Sequence, residues 1–102
     1  MNSKTLTGVG AVFCAAHKGF KKRNVLHGHS YEVTAWFIYS GQDAEKLQAE
    51  LSEFLICKFD HRELERGLAR GEEIAYQILT GLNCERVEVR RPLERLYVEI
   101  SR

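Results

Sequence analysis

Residues 26–40 read LHGHSYEVTAWFIYS, and their alternation decides the fold. Successive side chains of a strand point to opposite faces. His27, His29, Tyr31, Val33, Ala35, Phe37 and Tyr39 therefore share one face, and Ser30, Glu32, Thr34, Trp36 and Ile38 share the other. Upstream, residues 5–17 (TLTGVGAVFCAAH) are rich in small and β-favouring side chains and short of helical period, which predicts a strand. Gly8 and Gly10 inside it suggest a bulge or a bend. Residues 18–25 (KGFKKRNV) read as a loop, and two strands joined by a short loop pair antiparallel.

Downstream, Gly41 ends the second strand and Asp43 has the chemistry of a helix N-cap. Over residues 44–58, Leu47, Leu51, Phe54 and Leu55 recur at i, i+4, i+7 and i+8, the stripe of an amphipathic helix. A second helix is predicted from near Gly71, with Glu72 and Glu73 in its acidic first turn, to Gly81 as its stop. Ile74, Ile78 and Leu82 form its stripe. Strands over residues 86–91 and 93–100 close the chain, with Pro92 at the bend or an edge. The order ββααββ predicts one α+β domain over residues 1–102: a four-stranded antiparallel sheet with both helices on one face. No repeat, linker or low-complexity tract interrupts it.

Composition bounds the function. A chain of 102 residues, 44% apolar and 28% charged, supports one core and excludes disorder as the default. No apolar run approaches the ~18 residues of a membrane span, and no signal-peptide layout is present. Three cysteines without CxxC spacing suit a reducing compartment, so a soluble cytoplasmic domain is expected. The formal charge of +1 conceals an asymmetry. Residues 1–31 hold Lys4, Lys18, Lys21, Lys22 and Arg23 and no acid, whereas the remainder has ten cations against fourteen acids. Four of the five early cations lie between His17 and His27, in one loop. That loop reads either as a solvated basic segment or as an anion-binding loop. A nucleic-acid role is not expected, since Phe20 is its only aromatic and the net charge is nearly zero.

His27-Gly28-His29 is the most informative tripeptide. Two imidazoles at i and i+2 of a strand can converge on one ion, while Gly28 leaves the opposite side clear. HxH alone also fits ordinary surface histidines. His17, at the end of the preceding strand, completes a set of three neutral imidazoles, the ligand number of a catalytic zinc with one open position. Cys14 lies three residues before His17, so parity puts it on the opposite face, where it reads as a small buried apolar residue. Cys57 and Cys84 have no partner at metal spacing. Asp60-His61 admits two compatible readings. Asp60 with Glu63 can form a capping box for a short helix, and the pair can be a general acid/base in which the carboxylate orients the imidazole.

Together, F-x-A-A-H (residues 13–17), L-H-G-H-S-Y (26–31) and F-D-H-x-x-L (59–64) resemble the 6-pyruvoyltetrahydropterin synthase and 6-carboxytetrahydropterin synthase family. The resemblance implies a T-fold in which three subunits close a β-barrel and two trimers stack, with active sites between subunits. It implies Zn2+ on His17, His27 and His29, catalysis by Asp60 and His61, and substrate contact by Glu72. The Pro and Thr that precede that Glu in the family are Ala69 and Arg70 here. It also implies a lyase or synthase acting on the side chain of a dihydroneopterin triphosphate-like substrate, whose anion Lys21, Lys22 and Arg23 would hold.

Two departures stand out. The family's proton-abstracting cysteine, four residues before HGH, is Arg23, which is no base at neutral pH. The family's pterin-anchoring Glu after V-x-V-x is Arg91, following VEVR at residues 87–90. A pterin presents donors to a carboxylate, whereas a guanidinium has only donors. A compensating carboxylate would have to come from Glu94, across the turn, and the expectation is that it does not. Arg91 thus favours a different anionic small molecule. The alternatives are a T-fold zinc enzyme acting on such a molecule, or a non-catalytic zinc-binding assembly.

Overall fold

The chain begins with a long hairpin, and the rest of the fold is laid on it. The computed structural model describes residues 3–18, 26–64 and 71–102. Strand β1 (Leu6–Lys18) pairs antiparallel with β2 (Leu26–Ile38) in a register that runs unbroken from Leu6 opposite Ile38 to Lys18 opposite Leu26. The bulge or bend suggested by Gly8 and Gly10 is therefore absent. Gly8 serves close packing instead: a Cβ there would lie 2.6 Å from the Trp36 ring on the neighbouring strand. The Arg86 guanidinium covers that ring at 4.7 Å from its centroid.

After the hairpin come α1 (Ala44–Lys58) and α2 (Glu72–Leu82), then β3 (Arg86–Arg91) and β4 (Leu96–Ser101). The sheet order is β1-β2-β3-β4, antiparallel throughout. Asp43 caps α1 as its side chain predicts, accepting from the Glu45 N–H at 2.9 Å. Helix α2 does not stop at Gly81. It ends at Asn83, which takes the left-handed conformation (φ 53°) that asparagine tolerates, and whose N–H donates to the Leu79 carbonyl. Gly81 stays helical and lets the helices approach, because a Cβ there would meet the Phe54 ring of α1 at 2.6 Å.

One layer of helices covers one face of the sheet, α1 over β1 and α2 over β3 and β4. The odd-numbered residues of the first two strands face the helices, among them Phe13, Tyr31, Val33 and Ala35, all buried. Leu51, Leu55, Ile74 and Ile78 close the core from above. The opposite face of the sheet carries a polar ladder in which Arg90 binds Glu32, Glu88 and Thr34. The β3–β4 connection differs from the expected simple bend. Pro92–Glu94 forms a 3-10 turn and Arg95 is left-handed (φ 56°), which delays β4 to Leu96. This turn brings Glu94 to the end of the hairpin where the histidines lie.

Gly8→Ala is expected to push the only tryptophan of the chain off β1 and away from Arg86. Tryptophan emission should then shift to longer wavelength, and urea unfolding should show a loss of about 1–2 kcal/mol. Unchanged emission and midpoint would mean that the ring has room to spare.

Candidate active site

The hairpin register decides which histidines meet. His17 stands opposite His27, and His29, two residues further along β2, stands opposite Ala15. The side chains of His17 and His27 lie outside the described residues, as do Lys21, Lys22 and Arg23. Among the described residues no three His, Cys, Asp or Glu side chains group as a metal site.

His29 is described in full. Its ring is mostly buried and meets Tyr31 edge-on, with centroids 6.3 Å apart at 84°. Nδ1 lies 2.6 Å from Glu94 Oε1, and Arg91 Nη2 lies 3.1 Å from each ring nitrogen. Arg91 Nε donates to the same Glu94 oxygen at 3.0 Å. Desolvation pushes the Glu94 carboxyl up, but the Arg91 hydrogen bond and charge, with help from His29, hold it below the usual carboxylate range. Glu94 therefore does reach the site, against the sequence expectation, because the 3-10 turn after β3 folds it back. A carboxylate on Nδ1 is the arrangement that orients metal-ligating imidazoles and fixes their tautomer.

Asp60 and His61 arrive by a different route. Asp60 does not cap a short helix opening at His61: residues 61–64 form a turn and a bridge to β1. The segment following α1 lies along the open edge of β1, where strand donors and acceptors otherwise lack partners. Asp60 Oδ1 accepts from the Cys14 N–H at 2.9 Å, and the His61 N–H donates to the Cys14 carbonyl. Ala16 exchanges hydrogen bonds with Arg62 and Leu64, and Glu63 forms a parallel bridge to Ala16. The free edge thus captures the carboxylate that a helix N-terminus would have used. Asp60 Oδ2 then lies 2.9 Å from His61 Nδ1, with the His61 side chain 83% exposed. His61 itself is left-handed (φ 55°), a conformation that costs a residue with a β-carbon of order 1 kcal/mol and is common at functional sites. The Cys14 amide, above all, holds the Asp60 carboxyl below its ordinary range, and His61 adds to this against partial desolvation.

An open cleft of about 520 Å³ joins these two groups. Cys14, Ala16, Gly28 and Ser30 line it between His61 and Glu63 on one side and Leu93 and Glu94 on the other, and His29 borders it. A Cβ on Gly28 would meet nothing within 4 Å, so the glycine does keep that side clear. Cys14 corrects the sequence reading. Parity was right, but the outer face is open at this end, so the thiol is exposed and lies 3.8 Å from Ser30 Oγ. Cys14, Ser30 and Glu94 are cleft residues that motif reading did not assign, and strand parity was the available signal for the first two. Glu72 opens α2 and is exposed; Arg91 lines a smaller cavity beside it.

This α+β arrangement is that of a T-fold. No family model and no curated protein matches the sequence. The structure is similar to that of Caenorhabditis elegans 6-pyruvoyl tetrahydropterin synthase, with a TM-score of 0.63 and 17% identity over 100% of this chain and 99% of that one. At that identity the likeness establishes the fold. Among the described residues no helix is long and apolar enough to cross a membrane.

Two measurements check this geometry. Because the folded Asp60 carboxyl is held low, its stabilisation is present above the ordinary aspartate value near 4 and is lost as pH falls through the lower folded value. Asp60→Asn should lack that part of the acid limb in unfolding free energy against pH; profiles that superimpose would remove the Cys14–Asp60 bond from the account. In a native thiol titration Cys14 and Cys57 should react, while Cys84, buried and with its thiol pushed up to about 11, should react only after unfolding.

Proposed function

We propose that this chain is a zinc-dependent carbon–oxygen lyase acting on the side chain of a dihydroneopterin triphosphate-like small molecule. The observation that carries the reading is one cleft bordered by both His29 and His61, the latter held by Asp60. The in-register placement of His17 and His27, with His29 two positions on, supports a His₃ ligand set. Glu94 on His29 Nδ1 supports the same assignment, with the metal taking the Nε2 position that Arg91 Nη2 approaches at 3.1 Å here. When bound there, zinc supplies Lewis-acid polarisation of a substrate hydroxyl or carbonyl. His61 accepts or returns a proton at Nε2, because Asp60 occupies Nδ1. Lys21, Lys22 and Arg23 would hold the substrate's anionic end. Glu72 would contact the substrate from the start of α2.

A second reading, a T-fold zinc enzyme for a different anionic small molecule, is favoured by one observation. Arg91, a pure donor, sits where the resembling family places a carboxylate, although Glu94 returns a carboxylate to the cleft. In either case we expect a homo-oligomer, a trimer or hexamer with active sites between subunits. His61 is well exposed in one chain, and the outer edge of β4 is unpaired among the described residues. The three free thiols suit the cytoplasm.

Purified protein should contain one zinc per chain, and His27→Ala should lose it. Metal-free protein, or zinc retained in His27→Ala, would remove the site assignment. Dihydroneopterin triphosphate should turn over, with His61→Gln lowering kcat by about 10²–10⁴. If that compound neither binds nor reacts while zinc is present, the pterin reading falls and the second one stands.

A further inference from the structure

The Tyr31 hydroxyl is buried and has no hydrogen-bond partner among the described residues. Its ring cannot turn away, because it stacks on Phe13 with centroids 4.7 Å apart and planes 4° from parallel. A buried polar group left unpaired costs about 1–3 kcal/mol in general, so an orphan of this kind asks what it is for. Tyr31 lines a small cavity of about 30 Å³ together with Arg91, Gly71, Val89, Leu96 and Val98. Three kinds of group surround that space. Arg91 gives Nε to Glu94 and Nη2 to His29, and Nη1 has no hydrogen-bond partner among the described residues. Gly71, the N-cap of α2, closes one side with backbone alone. The remaining wall is valine and leucine.

The hydroxyl can also accept, but the guanidinium only donates, so a ligand atom placed here must be an acceptor. The volume admits a carboxylate or one to two waters and excludes a ring. The nearest opposing charge is Glu94, whose Oε1 is already held between Arg91 and His29. We infer that this cavity is a carboxylate subsite, in which the Tyr31 hydroxyl and the Arg91 guanidinium together hold a carboxylate group of the ligand. The inference deepens the second functional reading and rests on it: the substrate class becomes a small molecule bearing a carboxylate.

Formate, with three heavy atoms, is the probe that fits the cavity, and its affinity should be millimolar at best. Added at constant ionic strength against chloride, it should raise the Tm of the wild-type protein by about 5 °C at roughly tenfold excess over Kd. Tyr31→Phe should keep or raise the formate-free Tm, because it removes a buried hydroxyl that has no partner among the described residues, and should abolish the formate response. Arg91→Lys, which keeps the charge but loses the planar fork, should weaken formate about tenfold. No wild-type response would overturn the inference, since the cavity would then hold water only. An equal response in Tyr31→Phe would also overturn it, because the anion would be bound elsewhere, on the metal or the surface. Zinc content is measured on the same samples. Absent zinc with an intact, Tyr31-dependent formate response would remove the enzyme reading and leave a carboxylate-binding site.

Discussion

The unbroken antiparallel register between β1 and β2 is the constraint on which the candidate site depends. It pairs His17 with His27 and brings His29 opposite Ala15. A slip of one residue would turn every side chain of a strand to the other face. Tyr31, Val33 and Ala35 would then leave the core together with His29 leaving the site. Burial of that apolar row therefore holds the histidines in place, and the same alternation serves packing and chemistry. Gly8 contributes by lying flat beneath Trp36 without breaking the ladder.

The second requirement is met at the free edge of β1. An exposed strand edge is a row of unpaired donors and acceptors that must be covered or blunted. Here the chain leaving α1 covers it, and a carboxylate takes the place of one backbone carbonyl by binding the Cys14 amide. The contact serves two ends. It closes the edge near Cys14 and Ala16, and it fixes Asp60 so that its other oxygen is free to orient His61. The left-handed turn at His61 is tolerated because hydrogen bonds on both sides of it hold the segment to the sheet.

Charge at the far side of the cleft is organised around Arg91. It joins the end of β3 to β2 through His29 and to the following turn through Glu94. A guanidinium at this position offers only donors, and the 3-10 turn supplies Glu94 as its counter-charge. The pair also accounts for the field at Tyr31. Burial raises that phenol, with Arg91 opposing and Glu94 adding to the shift.

Most of the fold was legible in the chain. Period-two alternation over residues 26–40, the helical stripe over 44–58 and the cap at Asp43 each rest on local chemistry, and each appears with the expected bounds to within two residues. Errors arose where a local signal met a tertiary partner. Gly81 looks like a helix stop until Phe54 is seen above it. Asp60 looks like a helix cap until the edge of β1 offers it an amide, and Cys14 looks buried until the sheet's outer face is found open at that end. The ββααββ order and the spacing of the histidines are written in the chain, because both follow from period and parity along it. Closure in space was needed to bring Glu94 to His29, to set His61 in the cleft that His29 borders, and to turn the Tyr31 hydroxyl to a small cavity beside Arg91. These juxtapositions rest on contacts distant in the chain, such as Cys14 with Asp60, 46 positions apart, and His29 with Arg91, 62 apart, and no local pattern encodes a contact made by turns and edges closing in space.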